Sequence, residues 1–407
     1  MKIALVAQNA SPLHPRAGSG PDRDDNGLSE LTRKLAGQGH QVTVYTEKNL
    51  PGQPDQAELH EGVQVKYIDV ALKGPAAADD AGLLERVPAF SGPLRSHLQS
   101  DRPDIVHALR WTSGLAALAA TRDLGIPVVQ EFSSLGVTER RAAASLRDDA
   151  GAVKADGASA ARIRLEPAIG RSATAVVATN SAEVSGLASL GVRRSSIRVV
   201  PWGIDTDVFT PEGPVAERDG RARLLAMSDL TERTPLEALF RALTRVPGAE
   251  LLIVGGPAEA DLADDDNYIT LAKLAAKLGI ADRVTFTGQV EYAALPALLR
   301  SADLVVSTCQ YDPSGTSSLQ AMACGTPVIA PPVGGHMDAV VDGTTGIIVS
   351  PDRPALLAQR IRQLLSHPML IEAYGVAAAD RVRSRYSWDR IAGETIAVYD
   401  RVMAQAA

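Results

Sequence analysis

The chain has 407 residues, 45% of them hydrophobic, and a net charge of −7; at that length two domains are expected, because a single hydrophobic core stops growing well before it. The acidic balance, with no basic face, excludes a generic nucleic-acid binder, whose affinity needs clustered cations. No apolar run approaches the length that spans a bilayer, so no integral membrane segment is expected. The opening Met1-Lys-Ile-Ala-Leu-Val-Ala7 has neither the charged start nor the cleavage site of a secretion signal, and a cytoplasmic chain follows. Cys309 and Cys324 are too few for a disulfide framework or a zinc site and are expected to be small buried side chains.

In chain order, short β-rich runs at 3–7, 42–46, 63–68, 105–107, 128–132 and 175–178 alternate with longer helical patterns. A second series follows at 224–227, 250–254, 284–286, 304–307, 328–330 and 347–349, after a Pro- and Gly-containing stretch at 201–213 with little periodicity. The alternation predicts an α/β protein of two Rossmann-like, doubly wound parallel domains whose strand ends face each other across a cleft. From Trp388 to about residue 404 the sequence is amphipathic after a Ser-Trp-Asp start, a helix that could pack on either domain. The acidic cluster at 261–266 reads as a solvated loop, not a metal site.

The most informative stretch is Tyr311-Asp-Pro-Ser-Gly-Thr-Ser-Ser-Leu-Gln-Ala-Met-Ala-Cys-Gly-Thr-Pro-Val-Ile-Ala330, a small-residue loop running into a helix and then through a Gly-Thr-Pro turn into a buried strand. Pro313, Ser314 and Gly315 permit a tight turn. The amides of Gly315, Thr316, Ser317 and Ser318 can then open the helix toward an anion, where unpaired N–H groups and the helix dipole favour phosphate. Taken alone, the same residues also describe an ordinary Ser/Thr cap.

This segment resembles the donor-binding signature of retaining GT-B glycosyltransferases of family four, in which an acidic residue, Pro, a Gly-containing loop and a second acidic residue precede Ala-Met-Ala-Cys-Gly-Thr-Pro. The resemblance continues through Val333-Gly-Gly-His336, Asp342-Gly-Thr-Thr-Gly346, Arg283-Val-Thr-Phe-Thr-Gly288, Ala302-Asp303 and Gly255-Gly-Pro257. In the first half it takes in Ser11-Pro12, Gly39-His40, Asp104-Ile-Val-His107, Trp111-Thr-Ser-Gly114 and Val200-Pro-Trp-Gly-Ile-Asp205. Nearly the whole chain is covered, nearest to the subgroup of sucrose-phosphate synthases and the mycothiol-pathway inositol-phosphate N-acetylglucosaminyltransferase.

The resemblance implies the GT-B fold, with an acceptor domain over 1–203 completed by the C-terminal helix 388–407 and a nucleotide-sugar donor domain over 204–387. It implies transfer of a sugar, with retention, from a nucleoside-diphosphate sugar to a small soluble acceptor, with no cofactor and no metal. Those two substrates are the expected partners, nucleic acid is not, and a homodimer is the suggested assembly. Epimerases and phosphorylases on the same fold are less well matched, since neither signature is visible.

Several positions depart from the family pattern. Family members stabilise the leaving diphosphate with an Arg and a Lys in a Gly-Arg-Leu…Lys-Gly pattern; the matching Met227-Ser-Asp-Leu-Thr-Glu-Arg-Thr-Pro235 puts Asp229 and Thr234 there. A carboxylate beside a diphosphate opposes the charge that develops, so Arg233, one residue from the Lys position, is the candidate replacement. Asp312 stands for the first family Glu, and Gln320 for the second, where its amide oxygen can still accept from a ribose hydroxyl. Ser133 takes the place of the His near the transferred sugar. Arg233, Ser133 and Asp312 are thus the expected catalytic set. Asn26 and Gly27, in a loop at 24–29, are expected to admit the donor closely, with Asp229, Thr234, Val290, Gly315 to Ser318 and Gln320 completing its site. Arg110, Glu131, Ser134 and Arg162 are the expected acceptor residues, and His107 a supporting one. The simultaneous losses at Asp229, Thr234, Gln320 and Ser133 keep open a catalytically degenerate protein that binds a nucleotide or sugar phosphate, or scaffolds a partner enzyme.

Overall fold

The computed structural model of the chain describes residues 1–10, 13, 24–50, 52–70, 79–145, 159–231 and 235–406. They form two compact units: one takes the chain up to Gly203 together with the stretch from Trp388 onward, and the other takes Ile204–Ser387.

The first unit is built on β1 (Lys2–Val6), β2 (Gln41–Glu47), β3 (Gln56–His60), β4 (Val63–Ile68), β5 (Ile105–Leu109), β6 (Val128–Glu131), β7 (Ala175–Ala178) and β8 (Ile197–Val199), in the order β3-β4-β2-β1-β5-β6-β7-β8. Only β3 runs antiparallel to its neighbour. The strands β5, β6 and β7 are buried at every position, which is why they read as continuous apolar runs. β3 and β8 are absent from the predicted strands. Gln-Ala-Glu-Leu-His is a half-exposed edge with two apolar residues, and Ile-Arg-Val has only three positions, so neither carries a readable period.

The stretch 24–29, expected as a loop, instead opens the helix Asp24–Gly37. Leu28, Leu31 and Leu35 recur at helical spacing and share one core with Trp388, Ile391, Ala392, Val398, Tyr399 and Val402 of the terminal helix Trp388–Ala406. At about 1.5–3 kcal/mol for each large side chain buried, this packing is what holds the terminal helix to the first unit.

Two buried titratable groups of this unit act in opposite directions with pH. His107 lies 2.8 Å from the Tyr399 hydroxyl through Nδ1, and burial pushes its pKa down to about 4. The Glu183 carboxylate accepts from Thr179 N at 2.7 Å and Thr179 Oγ1 at 3.0 Å, and burial pushes it up to about 7. A histidine depressed from 6.5 to about 4 binds fewer protons folded than unfolded, so its contribution to stability grows as pH rises through that window. A carboxyl raised from 4.5 to about 7 keeps its proton when folded, so its contribution falls as pH rises through that one. The two offset where the windows overlap. Glu183→Gln removes the second, and the variant is expected to gain more stability than the parent across the shared window, by on the order of 2 kcal/mol. Urea unfolding at stepped pH reads this directly; parallel profiles for variant and parent would refute it.

The second unit carries β9 (Ala222–Met227), β10 (Ala249–Val254), β11 (Val284–Phe286), β12 (Leu304–Val306), β13 (Val328–Ala330) and β14 (Gly346–Ile348), all parallel, in the order β11-β10-β9-β12-β13-β14. The strand order reverses between β9 and β12, and in the first unit between β1 and β5. Open α/β sheets bind ligands at the carboxyl ends of the strands beside such a reversal. Among the described residues no helix is long and apolar enough to cross a membrane.

Candidate functional site

The predicted anion loop leaves β12 at the reversal in the second unit. Asp312 ties it together: Oδ1 accepts from Ser314 N at 3.1 Å, Ser314 Oγ at 3.1 Å and Gly315 N at 2.7 Å. Gly315, at φ 67°, occupies the left-handed region that favours glycine and caps the helix Thr316–Ala323 without a side chain. The loop after β13 locks onto it. Gly335 N donates to Asp312 O at 2.9 Å, and a Cβ on Gly335 would stand 2.4 Å from the Ser314 carbonyl carbon. The helix opening is therefore held backbone to backbone, with the Thr316, Ser317 and Ser318 amides at its positive end. A Cβ on Gly315 would lie 2.8 Å from Gly335 C, so substitutions there disturb the loop before any ligand arrives.

Gln320 is only 2% exposed, which removes it from the helix surface, and its Oε1 has no hydrogen-bond partner among the described residues. An unpartnered buried acceptor costs about 1–3 kcal/mol. A ligand hydroxyl would satisfy it.

Sequence reasoning missed a group beside Asp312. His336 is fully buried; its Nδ1 lies 2.8 Å from Ser318 Oγ, and its Nε2 lies 3.0 Å from Cys309 Sγ, 3.3 Å from Asp312 Oδ2 and 3.4 Å from Ser307 Oγ. Burial lowers the His336 pKa and Asp312 works against that shift. Cys309 is half-buried, not the inert core thiol expected; Cys324 is buried and its thiol is pushed up to about 12 by burial. No motif spacing could have announced the group, because Cys309 lies in the loop after β12 and His336 opens the short helix His336–Ala339, 27 residues further on.

The other donor candidates are less concentrated. Asp229 is exposed and caps its own turn, accepting from Thr231 N at 3.1 Å and Thr231 Oγ1 at 2.7 Å. Arg233 and Thr234 lie outside the described residues. Val290 packs half-buried against the core that holds Leu295 and Leu299. Asn26 is in the first turn of its helix, its side chain outside the description. Gly27 does give close approach, but to the chain itself: a Cβ there would stand 2.7 Å from the Trp202 ring and 3.3 Å from that of Trp388.

In the first unit, Arg110 and Ser133 follow β5 and β6 at φ 70° and 60°, a conformation costing about 1–3 kcal/mol for each non-glycine residue. Arg110 N donates to Glu131 O at 2.7 Å. With Asn9, Ala10, Leu28 and Trp202, Arg110 and Ser133 line a small depression at the strand ends. Glu131 is buried; Ser133 Oγ donates to its Oε1 at 3.4 Å, and His107 Nε2 is 3.7 Å from its Oε2.

Arg162 and Ser134 do not join this depression. The Arg162 fork donates to Glu166 Oε1 at 2.7 Å, Glu139 Oε2 at 2.8 Å, Ser134 O at 2.9 Å and Ser134 Oγ at 2.8 Å. Glu166 in turn takes Gly136 N at 2.9 Å. A guanidinium this engaged meets an acceptor phosphate only by giving up one of these partners.

Two α/β units with mostly parallel sheets, each with one reversal of strand order, have the architecture of the GT-B class. Residues 213–381 match the family described as Glycosyl transferases group 1, and residues 26–203 the Glycosyl transferase 4-like domain. D-inositol 3-phosphate glycosyltransferase 2 of Catenulispora acidiphila is 30% identical over 422 residues, covering 98% of this chain and 95% of that one. The D-inositol 3-phosphate glycosyltransferase of Mycolicibacterium smegmatis is 30% identical over 420 residues, with 99% and 92% covered. Among solved structures, the sucrose-phosphate synthase of Thermosynechococcus elongatus superposes with a TM-score of 0.83 at 25% identity, covering 99% of each chain. An Anabaena protein solved with UDP and glucose shares the fold, with a TM-score of 0.71 at 18% identity and 98% and 100% covered. The chain belongs to the group 1 glycosyl transferases. It is a glycosyl transferase of the GT-B fold.

Proposed function

We propose that the donor's diphosphate docks on the amides of Thr316 to Ser318 at the interlocked loop, with a ribose hydroxyl donating to Gln320 Oε1. The buried Gln320 oxygen beside a helix opening, without a partner among the described residues, carries this reading. In the reaction the bond from the anomeric carbon to the diphosphate oxygen breaks and its electron pair stays on the phosphate. The acceptor oxygen bonds the anomeric carbon on the same face, and its proton passes to the departing phosphate oxygen. The helix amides stabilise the charge that develops; Arg233 is the side chain proposed to assist them.

The acceptor is a small hydroxylated molecule handled by the first unit, where Arg110 and Ser133 line the strand-end depression and the Ser133 hydroxyl meets the buried Glu131 carboxylate behind it. D-inositol 3-phosphate, named for the relatives, is the first acceptor to assay. If it binds, Arg110 is the cation to receive its phosphate.

Gln320 supplies the test. Gln320→Ala is expected to weaken UDP binding by about 1 kcal/mol. Gln320→Glu places a carboxylate where only a ligand donor can satisfy it, so the free variant is expected to melt lower and to gain more from saturating UDP than the parent does. Calorimetry and thermal melts with UDP, GDP and ADP measure both. Parent-like affinity and melting in both variants would remove Gln320 from the donor site.

A further inference from the structure

Three different ligating atoms converge beside the interlocked loops: Cys309 Sγ, Asp312 Oδ2 and His336 Nε2, all within 4.8 Å of one another. Each is already held by a second contact. Asp312 is fixed by three hydrogen bonds to its other oxygen, Oδ1. His336 is fixed by Ser318 Oγ at Nδ1, and Cys309 Sγ accepts from Ser307 Oγ at 3.3 Å. If Nδ1–H donates to Ser318, the Nε2 lone pair faces a carboxylate oxygen and a sulfur with no proton of its own to share. The Cys309 thiol proton is then the donor left to Nε2 at 3.0 Å, and a divalent cation taking its place gives the usual arrangement of a metal-bound histidine, whose other ring nitrogen donates to a polar neighbour.

We propose that Cys309, Asp312 and His336 bind a divalent cation of the zinc class, with a fourth position open to water or an exogenous ligand. A mixed sulfur, nitrogen and oxygen set suits zinc or cobalt and disfavours magnesium and calcium, which want oxygen alone. Tetrahedral bonds of about 2.0–2.3 Å set ligand atoms about 3.3–3.8 Å apart. The Nε2···Oδ2 separation of 3.3 Å meets that already, and the Nε2···Sγ separation of 3.0 Å needs to open by about half an ångström. Cys309 and Asp312 are both partly exposed, which gives the ion a way in. Bound there, the cation would clamp the loop after β12 to the loop after β13 through side chains, reinforcing the backbone lock. The assignment stands whether or not the donor site is as proposed above.

The test uses the tag-free, reduced, EDTA-stripped full chain titrated with Co²⁺. The expected result is stoichiometric uptake with a thiolate-to-cobalt charge-transfer band in the near ultraviolet, displaced by Zn²⁺ and untouched by a large excess of Mg²⁺. Cys309→Ser should abolish the band and Cys324→Ser should keep it. Ser318→Ala, which removes only the Nδ1 partner, should loosen Zn²⁺ about ten- to a hundredfold. Absence of the band in the folded parent with both thiols reduced, or its persistence in Cys309→Ser, overturns the site and leaves the cluster as a hydrogen-bonded group in which Nε2–H donates to Asp312.

Discussion

Arg162→Ala is expected to destabilise the first unit by about 3–5 kcal/mol, because it leaves the buried Glu166 carboxylate without its cation. Glu166 is 1% exposed; burial pushes its pKa up, and Arg162 together with Gly136 N pulls it back. Without Arg162 the opposing influence is mostly lost, and the group must either take up a proton or hold an unpaired charge. Arg162→Lys is not a rescue, since one ammonium cannot reproduce the fork that serves Glu166, Glu139 and Ser134 at once. Chemical denaturation should show the loss as a lower midpoint, with the acceptor KM of the remaining folded enzyme within a few-fold of the parent. An unshifted midpoint with a sharply raised acceptor KM would return Arg162 to the acceptor site.

The contrast between Arg162 and Gln320 shows what a sequence can and cannot say. Both positions match a family pattern, which fixes where a residue lies along an element but not what surrounds it. For Gln320 the surroundings left a buried oxygen without a partner among the described residues; for Arg162 they supplied Glu166 on its own helix and Glu139 on the helix Gly136–Ser145. The parallel strands were legible because burial on both faces makes them uniformly apolar, whereas β3 has one wet face and little pattern. Gly27 illustrates a different limit. A glycine signals close approach of something, and here that something is a pair of tryptophans, one of them 361 positions further along the chain at Trp388. The Cys309, Asp312 and His336 cluster lies beyond sequence reading for the same reason: two loops meet only because β12 and β13 are neighbours.

Asp312→Ala is expected to lower transferase turnover by about two to three orders of magnitude, since misplacing a positioned charge-stabilising group by an ångström costs on that scale. The side chain does not itself supply the amides that face the diphosphate; it holds the turn that aims them. Removing it frees Gly315 N, Ser314 N and Ser314 Oγ together, while the Gly335 N to Asp312 O bond remains because it uses only the backbone. The loop should therefore loosen without detaching, and the second unit should keep its melting temperature within a few degrees. Asp312→Asn separates position from charge. Its amide oxygen can still accept from Gly315 N, so whatever activity it restores over Asp312→Ala measures loop geometry, and whatever remains lost measures the carboxylate's charge beside His336 Nε2. Single-turnover rates with a UDP-sugar, read alongside UDP affinity, give both numbers. Should Asp312→Ala turn over as fast as the parent, the two glycine loops hold the helix opening unaided, and Asp312 has no part in the chemistry.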